Sequence, residues 1–263
     1  ANVNGVNVEI GTASGPSAFG SALIDVSNFG QTRNPDSNSS AGQTQVKLTG
    51  PVSATLSDAV RVSSGPNTSD QIIIAEDTVT ANAYLGAIGG DAIVSTNIGR
   101  GESNITSAAV TSALSKGIYA TTGAETTAMT LTAKGAITAN DEGIKAQHGG
   151  TAAASLTLTK AGSVTSTQSH GVSLKTTAAG VGATLSGYVD ATTGIRYGSV
   201  IGVNKGVNQT TAGGDILIEN LASVEGGTEA GIYARSTGGT ITIQNIDRVT
   251  SEGSWAIDAD TRL

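Results

Sequence analysis

The stretches Gly117-Ile118-Tyr119-Ala120 and Gly143-Ile144-Lys145-Ala146 are two copies of one short element: a small residue, an apolar residue, any residue, then a small or apolar residue. Further copies begin at Gly171, Gly194, Gly231 and Ala256. Successive copies lie close to 25 residues apart, except for one spacing of 37. A regular period of this length is typical of proteins built from stacked repeats.

A second, alternating segment precedes each copy. Examples are Leu156-Thr157-Leu158 followed by Val164-Thr165, and Ile241-Thr242-Ile243 followed by Val249-Thr250. Apolar and polar residues alternate in these segments, Val, Ile and Thr are frequent, and Gly, Asn and Ser bound them. This is the pattern of β-strands and not of helices. Each unit is therefore predicted to form three short strands separated by turns.

Units of this size cannot each bury a hydrophobic core, so every strand is expected to pair with the same strand of the next unit. The sequence thus predicts an all-β fold, a right-handed parallel β-helix of about nine coils, elongated and monomeric. One apolar residue per coil is predicted to point inward in a continuous column that includes Ile118, Ile144, Val172, Ile195, Ile232 and Ile257. The neighbouring glycines are expected where a turn needs positive φ or where two backbones approach closely.

We expect a single domain over residues 1–263, because no shift in composition divides the chain. Residues 1–22 fit the repeat poorly and are interpreted as an N-terminal cap or an incomplete first coil. Loop-like composition predicts excursions from the coil near residues 31–41, 63–70 and 198–213. The last of these is predicted to account for the spacing of 37 residues.

Composition and charge exclude several classes of partner. The chain has 36 Gly but only 2 Phe, 5 Tyr and 1 Trp, which favours a thin, repeated core. Its net charge of −7 leaves no basic surface for nucleic acid and disfavours anionic membranes. No apolar run approaches the roughly 18 residues of a spanning helix, so we expect no membrane insertion. Because the chain lacks cysteine, disulfides and thiolate metal sites are excluded.

Residues suited to catalysis or metal binding are few and dispersed. His148 and His170 stand at different positions of the repeat, so we expect no shared catalytic site and interpret both as solvated turn residues. Gly89-Gly90-Asp91 and Gly213-Gly214-Asp215 resemble fragments of a calcium-binding repeat, but they lie too far apart to form a stack of ligands. No metal and no cofactor is therefore predicted.

Polysaccharide lyases and hydrolases also use right-handed β-helices and form the alternative enzyme class. Their chemistry needs clustered carboxylates on one outer sheet. The candidates here are Asp190 with Arg196, and Asp247 with Arg248 and Glu252. Neither group recurs in phase on neighbouring coils, and aromatic platforms for sugars are scarce. We therefore predict no enzymatic activity.

The Gly-Ile-x-Ala element, followed by a Gly-rich turn, a Thr-x-Thr strand and a Val-Thr turn, resembles the passenger regions of bacterial type V autotransporters over roughly residues 43–260. This resemblance implies a β-helix that is exported through an outer-membrane barrel and then stays on the bacterial surface or is released. It also implies action by binding, as an adhesin or a soluble ligand of a host receptor. A structural stalk without a ligand is a further alternative.

Outward residues of the repeat supply the candidate binding site. The third residue of each element is predicted to lie in one column along the outside of the coil: Asp25, Arg61, Val94, Tyr119, Lys145, Ser173, Arg196, Tyr233 and Asp258. Exposed Tyr and Arg are frequent anchors of protein interfaces. We therefore predict a recognition strip of Tyr119, Lys145, Arg196 and Tyr233, aided by the loop at 198–213. The expected partner is a host cell-surface protein or a matrix component.

Overall fold

The structure is a computed structural model that describes residues 5–16, 21–29, 42–83 and 89–262. Within these ranges 27 strands form three parallel sheets of nine strands each, and no helix is present. We call the three sheets A, B and C in the order in which the chain visits them.

The strands of each sheet come from successive coils. Sheet A contains β1 (Val6–Ile10), β4 (Gly42–Leu48), β7 (Thr68–Ala75), β10 (Ser103–Ser107), β13 (Met129–Ala133), β16 (Ala154–Leu158), β19 (Ala183–Gly187), β22 (Ile216–Glu219) and β25 (Ile241–Gln244). Sheet B contains β2 (Ala13–Pro16), β5 (Val52–Thr55), β8 (Val79–Asn82), β11 (Val110–Ser112), β14 (Ala136–Ala139), β17 (Ser163–Ser166), β20 (Ser199–Gly202), β23 (Ser223–Gly226) and β26 (Arg248–Ser251). Sheet C contains β3 (Ala22–Asn28), β6 (Asp58–Ser64), β9 (Ile93–Asn97), β12 (Ile118–Thr122), β15 (Ile144–His148), β18 (Val172–Thr176), β21 (Val207–Thr211), β24 (Ile232–Ser236) and β27 (Ile257–Thr261).

Every strand pairs in parallel with the equivalent strand of the next coil. In sheet C, for example, Ile118 of β12 lies beside Ile144 of β15. The protein is therefore a right-handed parallel β-helix of nine coils, and the predicted fold is confirmed. Residues 6–16 pair with β4 and β5, so they contribute the first two strands of the first coil.

The core is a set of apolar columns that run along the coil axis. Side chains alternate between inside and outside in each strand, which the geometry of a β-strand requires. The inward position of sheet B is occupied by Val52, Val79, Val110, Ile137, Val164, Val200, Val224 and Val249. In sheet C the equivalent column contains Ile24, Val60, Ile93, Ile118, Ile144, Val172, Val207, Ile232 and Ile257.

The repeat glycines are explained by close approach of successive backbones. A Cβ added at Gly117 would lie 2.5 Å from the carbonyl oxygen of Gly143, and one added at Gly143 would lie 2.6 Å from that of Gly171. Both contacts are shorter than real Cβ atoms tolerate. None of these three glycines is among the described residues with positive φ, so the space between coils, not a left-handed turn, requires glycine here.

The excursion predicted at residues 198–213 lies instead at residues 188–198. Residues 199–211 contain β20 and β21, while the chain leaves the coil over residues 188–198. Val172 pairs with Val207, so Val207 fills the core position predicted for Ile195, whose side chain is 52% exposed. The true repeat copy was missed because its fourth residue is the polar Gln209. This side chain is fully buried and donates from Nε2 to the carbonyl oxygen of Ala183 at 2.6 Å.

The other two predicted excursions have different outcomes. Over residues 63–70, β6 ends at Ser64 and β7 begins at Thr68, so only a tight turn separates the two strands. The backbone N–H of Gly65 donates to the carbonyl oxygen of Asn28 at 2.7 Å, which holds this turn against the preceding coil. Residues 31–41 lie outside the described residues.

A column of buried polar side chains lies at the turns that lead from sheet C to sheet A. These residues end the sheet C strands, and most bond to the backbone of the turn that follows. Thr176 Oγ1 donates to Val181 O at 2.6 Å, and Thr211 Oγ1 donates to Gly214 O at 2.5 Å. Asn97 Oδ1 accepts from the backbone N–H of Gly99 at 2.9 Å. The polar groups of these three side chains are thus satisfied by bonds that fix the turns.

Candidate functional site

The outer face of sheet C carries the predicted column of outward residues. Neighbouring members pair across coils, as Tyr119 does with Lys145 and Tyr233 with Asp258. We call this set the outer column: Asp25, Arg61, Val94, Tyr119, Lys145, Ser173, Asn208, Tyr233 and Asp258. It matches the prediction except in the seventh coil, where Asn208 stands in place of Arg196.

Arg196 lies outside this face, so its predicted place in the column is wrong. It belongs to the loop of residues 188–198 and forms an antiparallel bridge with Val189. Its Nη1 lies 2.6 Å from Oδ1 of Asp247, two coils further along the chain. The sequence around residue 194 imitates the repeat, but its apolar residue faces solvent. The structure brings Tyr119 and Lys145 together, places Tyr233 further along the same face, and leaves Arg196 in the loop.

Two of the acidic residues considered for catalysis, Asp190 and Asp247, have structural partners. Asp190 Oδ1 accepts two backbone N–H bonds from the turn that follows, at 2.9 and 3.1 Å, and these bonds lower the pKa of Asp190. Its other oxygen lies 3.6 Å from Lys160 Nζ. Asp247 is paired with Arg196. In the described parts of the chain, no group of three or more His, Cys, Asp or Glu side chains is arranged to hold a metal ion.

Tyr119 and Lys145 lie within a network of ion pairs. Lys116 Nζ is 5.7 Å from the ring centroid of Tyr119 and 3.0 Å from Oδ2 of Asp141. Lys145 Nζ lies 2.9 Å from Oε1 of Glu142. Burial opposes the charge of Lys116, but the hydrogen bond and negative charge of Asp141 outweigh it and raise the pKa of Lys116. The charges in this part of the outer column are therefore neutralised by the protein itself.

Tyr233 lies among two cations and two carboxylates. Lys205 Nζ is 4.8 Å from the ring centroid of Tyr233, and the Arg235 guanidinium carbon is 4.5 Å from it. Lys205 forms an ion pair with Glu229, and Arg235 Nη2 donates to Asp258 Oδ1 at 2.8 Å. The ring is held in place by these contacts.

A groove opens next to Tyr233 at the end of the sheet C strands. It has a volume of about 530 Å³ and is lined in part by Lys175, Thr210, Tyr233, Arg235 and Arg262. Lys175, Thr210 and Arg235 stand one above another on consecutive coils. Because adjacent parallel strands lie about 4.8 Å apart, the backbones of Lys175 and Arg235 are about 10 Å apart, with the short Thr210 side chain between them. The groove is thus a notch between two long cationic side chains.

Sequence reasoning missed this groove, although a signal for it exists. Lys175 follows Gly171 by the same number of residues as Arg235 follows Gly231, so both occupy one position of the repeat. Arg262 lies just beyond the last strand, where the repeat pattern does not predict the position of a side chain. With the seventh coil assigned to residues near 194, Lys175 and Arg235 were not recognised as flanking Thr210.

The two histidines have separate environments. His148 is fully buried at the end of β15, so its interpretation as a solvated turn residue is wrong. Its burial lowers the pKa of the imidazole. His170 is partly exposed and accepts a hydrogen bond at Nδ1 from the backbone N–H of Lys205, at 3.3 Å. Burial and the nearby Lys205 charge lower the pKa of His170, and nearby carboxylates oppose this.

Comparisons of the chain with protein families, with curated proteins and with solved structures gave no match. Across the described ranges, no helix has the length and apolar character needed to cross a membrane. The function is therefore inferred from the chain's own residues and their geometry.

Proposed function

We propose that the protein is a passenger of the bacterial autotransporter type, secreted or displayed on the cell surface, that acts by binding a host cell-surface protein or matrix component. Its long outer face and its repeat of about 25 residues support this proposal. Loops and outward residues of such a coil can vary without disturbing the apolar columns inside. Binding by an adhesin or a soluble receptor ligand is therefore compatible with the fold.

The observation that carries the proposal is the environment of Tyr233. This side chain is half-buried, is fixed by two cations, and lies at the edge of a groove open to solvent. A rigid aromatic residue flanked by Arg is the kind of anchor that supplies much of the free energy of binding in protein interfaces. The recognition strip is accordingly proposed to be centred on Tyr233 in the eighth coil.

A role as a structural stalk is favoured by one part of the same face. Around Tyr119 and Lys145, ion pairs satisfy the charged side chains, with distances of 3.0 Å for Lys116 and Asp141 and 2.9 Å for Lys145 and Glu142. These contacts stabilise the coil stack without a ligand. In the binding proposal, this region is the weaker half of the recognition strip.

The proposal is tested by adhesion of the purified, fluorescently labelled protein to cultured epithelial cells and to immobilised matrix proteins. We expect saturable binding that is reduced in the Tyr233→Ser variant. Equal binding by the wild type and by a folded variant carrying both Tyr119→Ser and Tyr233→Ser would overturn the site. Absence of saturable binding to every cell type and matrix protein would favour the stalk. Protease accessibility of the chain on intact bacteria tests its proposed location.

A further inference from the structure

We propose that the groove between Lys175 and Arg235 binds the acidic group of a short saccharide, one or two sugar units long. This inference rests on the proposed binding function and specifies the chemistry of its ligand. The groove volume, about 530 Å³, falls within the range of roughly 300–1,000 Å³ that is common for small-molecule sites.

The charge of Lys175 is the first observation behind this proposal. In the described part of the chain, every lysine and arginine except Lys134 and Lys175 has a carboxylate within ion-pair distance. Lys175 is exposed and lines the groove. In a chain with a net charge of −7, an unpaired cation at the wall of a groove is a ready partner for an anionic group.

The guanidinium of Arg235 is the second observation. Its Nη2 donates to Asp258 at 2.8 Å, but its Nε and Nη1 are buried and make no hydrogen bond among the described residues. Oδ2 of Asp260 lies 3.9 Å from Nε, which is beyond hydrogen-bond distance. Buried donors without an acceptor are rare in folded proteins. An anion in the groove supplies an acceptor once the guanidinium rotates towards it.

The balance of charge around the groove is positive. Three cations, Lys175, Arg235 and Arg262, line the groove, and two carboxylates pair with them: Asp258 with Arg235, and Asp260 with Arg262 at 2.8 Å. One positive charge is thus left over, which suits a ligand with a single carboxylate or sulfate. A long polyanion would meet repulsion from the acidic remainder of the chain.

The remaining lining indicates a sugar. Thr210 and Thr237, which both carry hydroxyl groups, line the groove beside the cations. Thr177 also belongs to the lining, and its hydroxyl group donates to the carbonyl oxygen of His148 at 3.4 Å. Hydroxyl groups donate and accept hydrogen bonds, so they complement the hydroxyl groups of a saccharide. Thr210, which pairs with Lys175, and Ala212 add small side chains to the lining.

The test titrates the full chain with three sugars and measures binding by calorimetry and saturation-transfer NMR. The sugars are 3′-sialyllactose, which carries a carboxylate, lactose 3′-sulfate, and neutral lactose. We expect at least one acidic sugar to bind and lactose not to bind, and the stronger acidic sugar identifies the natural anion. Binding of lactose as tight as that of both acidic sugars, or binding of none, overturns the proposal. A tri-aspartate peptide that binds as tightly as the sugars overturns the assignment to a saccharide.

Two matched variants test the position of the site. Lys175→Ala is expected to weaken binding by about tenfold or more, since it removes a charge-assisted contact. Lys134→Ala removes a charge that is also exposed and without an ion-pair partner among the described residues, at another corner of the coil, and it should leave binding unchanged. Thr210→Glu, which adds a carboxylate at an outward position in the groove, should abolish binding while the melting temperature stays near that of the wild type. Equal effects of the two lysine variants would overturn the site.

The saccharide site and the proposed binding function can be confirmed or overturned independently of each other. If labelled protein adheres to cells, but the acidic sugars neither bind nor compete and Lys175→Ala adheres normally, this inference fails and the binding function stands. If the sugars bind but the protein adheres to no cell or matrix protein, the groove is confirmed and the proposed partner is overturned.

Discussion

Thr122 Oγ1 donates a hydrogen bond to His148 Nδ1 across two adjacent coils, at 2.6 Å. The other ring nitrogen, Nε2, lies 2.8 Å from the carbonyl oxygen of Ala152, which can only accept, so Nε2 carries the proton. Burial lowers the pKa of His148 below its ordinary value of 6.5, so at neutral pH the imidazole is uncharged and Nδ1 accepts from Thr122. The ring is fully buried and bonded through both nitrogens. It joins the fifth coil to the fourth and fixes the turn that leads into the sixth.

This arrangement predicts that stability falls on acidification. Burial lowers the pKa of His148 in the folded protein below the ordinary value of 6.5, so the unfolded chain takes up a proton first as the pH falls. The stability that the neutral ring contributes is complete above about pH 6.5 and is lost as the pH falls through the folded-state pKa. Melting temperatures at pH 7.5, 6.5 and 5.5 should therefore decrease in that order.

The variant His148→Gln is expected to be less stable at pH 7.5 and to show a flatter dependence on pH. His170 also has a lowered pKa, so His170→Gln serves as the comparison. It should remove a separate part of the dependence of melting temperature on pH. A pH dependence of His148→Gln as steep as that of the wild type would show that the buried ring is not its source.

The corrected register of the seventh coil is tested by a pair of aspartate substitutions. Val207 is fully buried, so Val207→Asp places an unpaired charge inside the coil and should prevent folding. Ile195 is 52% exposed, and Ile195→Asp should change the free energy of unfolding by no more than about 0.5 kcal/mol. Circular dichroism and thermal melting measure both. The opposite ranking would restore Ile195 to the core.

The loop of residues 188–198 is predicted to be dispensable for folding. Replacing it with Thr-Lys-Ala-Gly, the turn that joins β16 to β17, should preserve the parallel sheets. The lost pair between Arg196 and Asp247 is partly exposed, so its removal should cost less than about 1 kcal/mol.

Deletion of residues 198–213 provides the contrast, because it removes β20 and β21 and interrupts two sheets. That variant should fail to fold. Thermal melting and limited proteolysis report both results, and a folded deletion of 198–213 would contradict the assigned strands.

The two tyrosines of the outer column are expected to differ in their effect on binding. Tyr233→Ser should weaken adhesion to cells by about 2 kcal/mol, as loss of an interface anchor does. It should also reduce stability by about 1 kcal/mol, because Lys205 and Arg235 lose their contacts with the ring. Tyr119→Ser, which removes a ring beside one cation, should affect adhesion less. Flow cytometry with labelled protein measures adhesion, and a larger effect of Tyr119→Ser would move the site to the fourth coil.

Most of the fold was predictable because the positions of the strands follow directly from the sequence repeat. Each coil buries an apolar residue at the same position, so Ile118, Ile144 and Val172 mark successive strands of sheet C without further information. The outward neighbours Tyr119 and Lys145 follow from strand alternation. Eight of the nine predicted members of the outer column were therefore placed correctly.

The errors arise where a buried position is polar. Gln209 occupies an inward position because its amide reaches the carbonyl oxygen of Ala183, and a pattern of apolar residues cannot detect such a bond. His148 is buried for the same kind of reason. The groove beside Arg235 was missed because it depends on side chains from four coils, the sixth to the ninth. The position of Thr210 between Lys175 and Arg235 became clear only after the seventh coil was correctly aligned.

The parallel pairing of each strand with the same strand of the next coil also determines how the molecule responds to force. Because hydrogen bonds between strands join only adjacent coils, a pull on one end of the chain loads the three strands of the terminal coil before any other. Detachment of that coil releases about 25 residues, or roughly 80 Å of extended chain, and exposes the next coil to the same load. Under tension the protein should lengthen in discrete steps, most of them nearly equal, with longer steps for the coils between Ile24 and Val60, between Val60 and Ile93, and between Val172 and Val207.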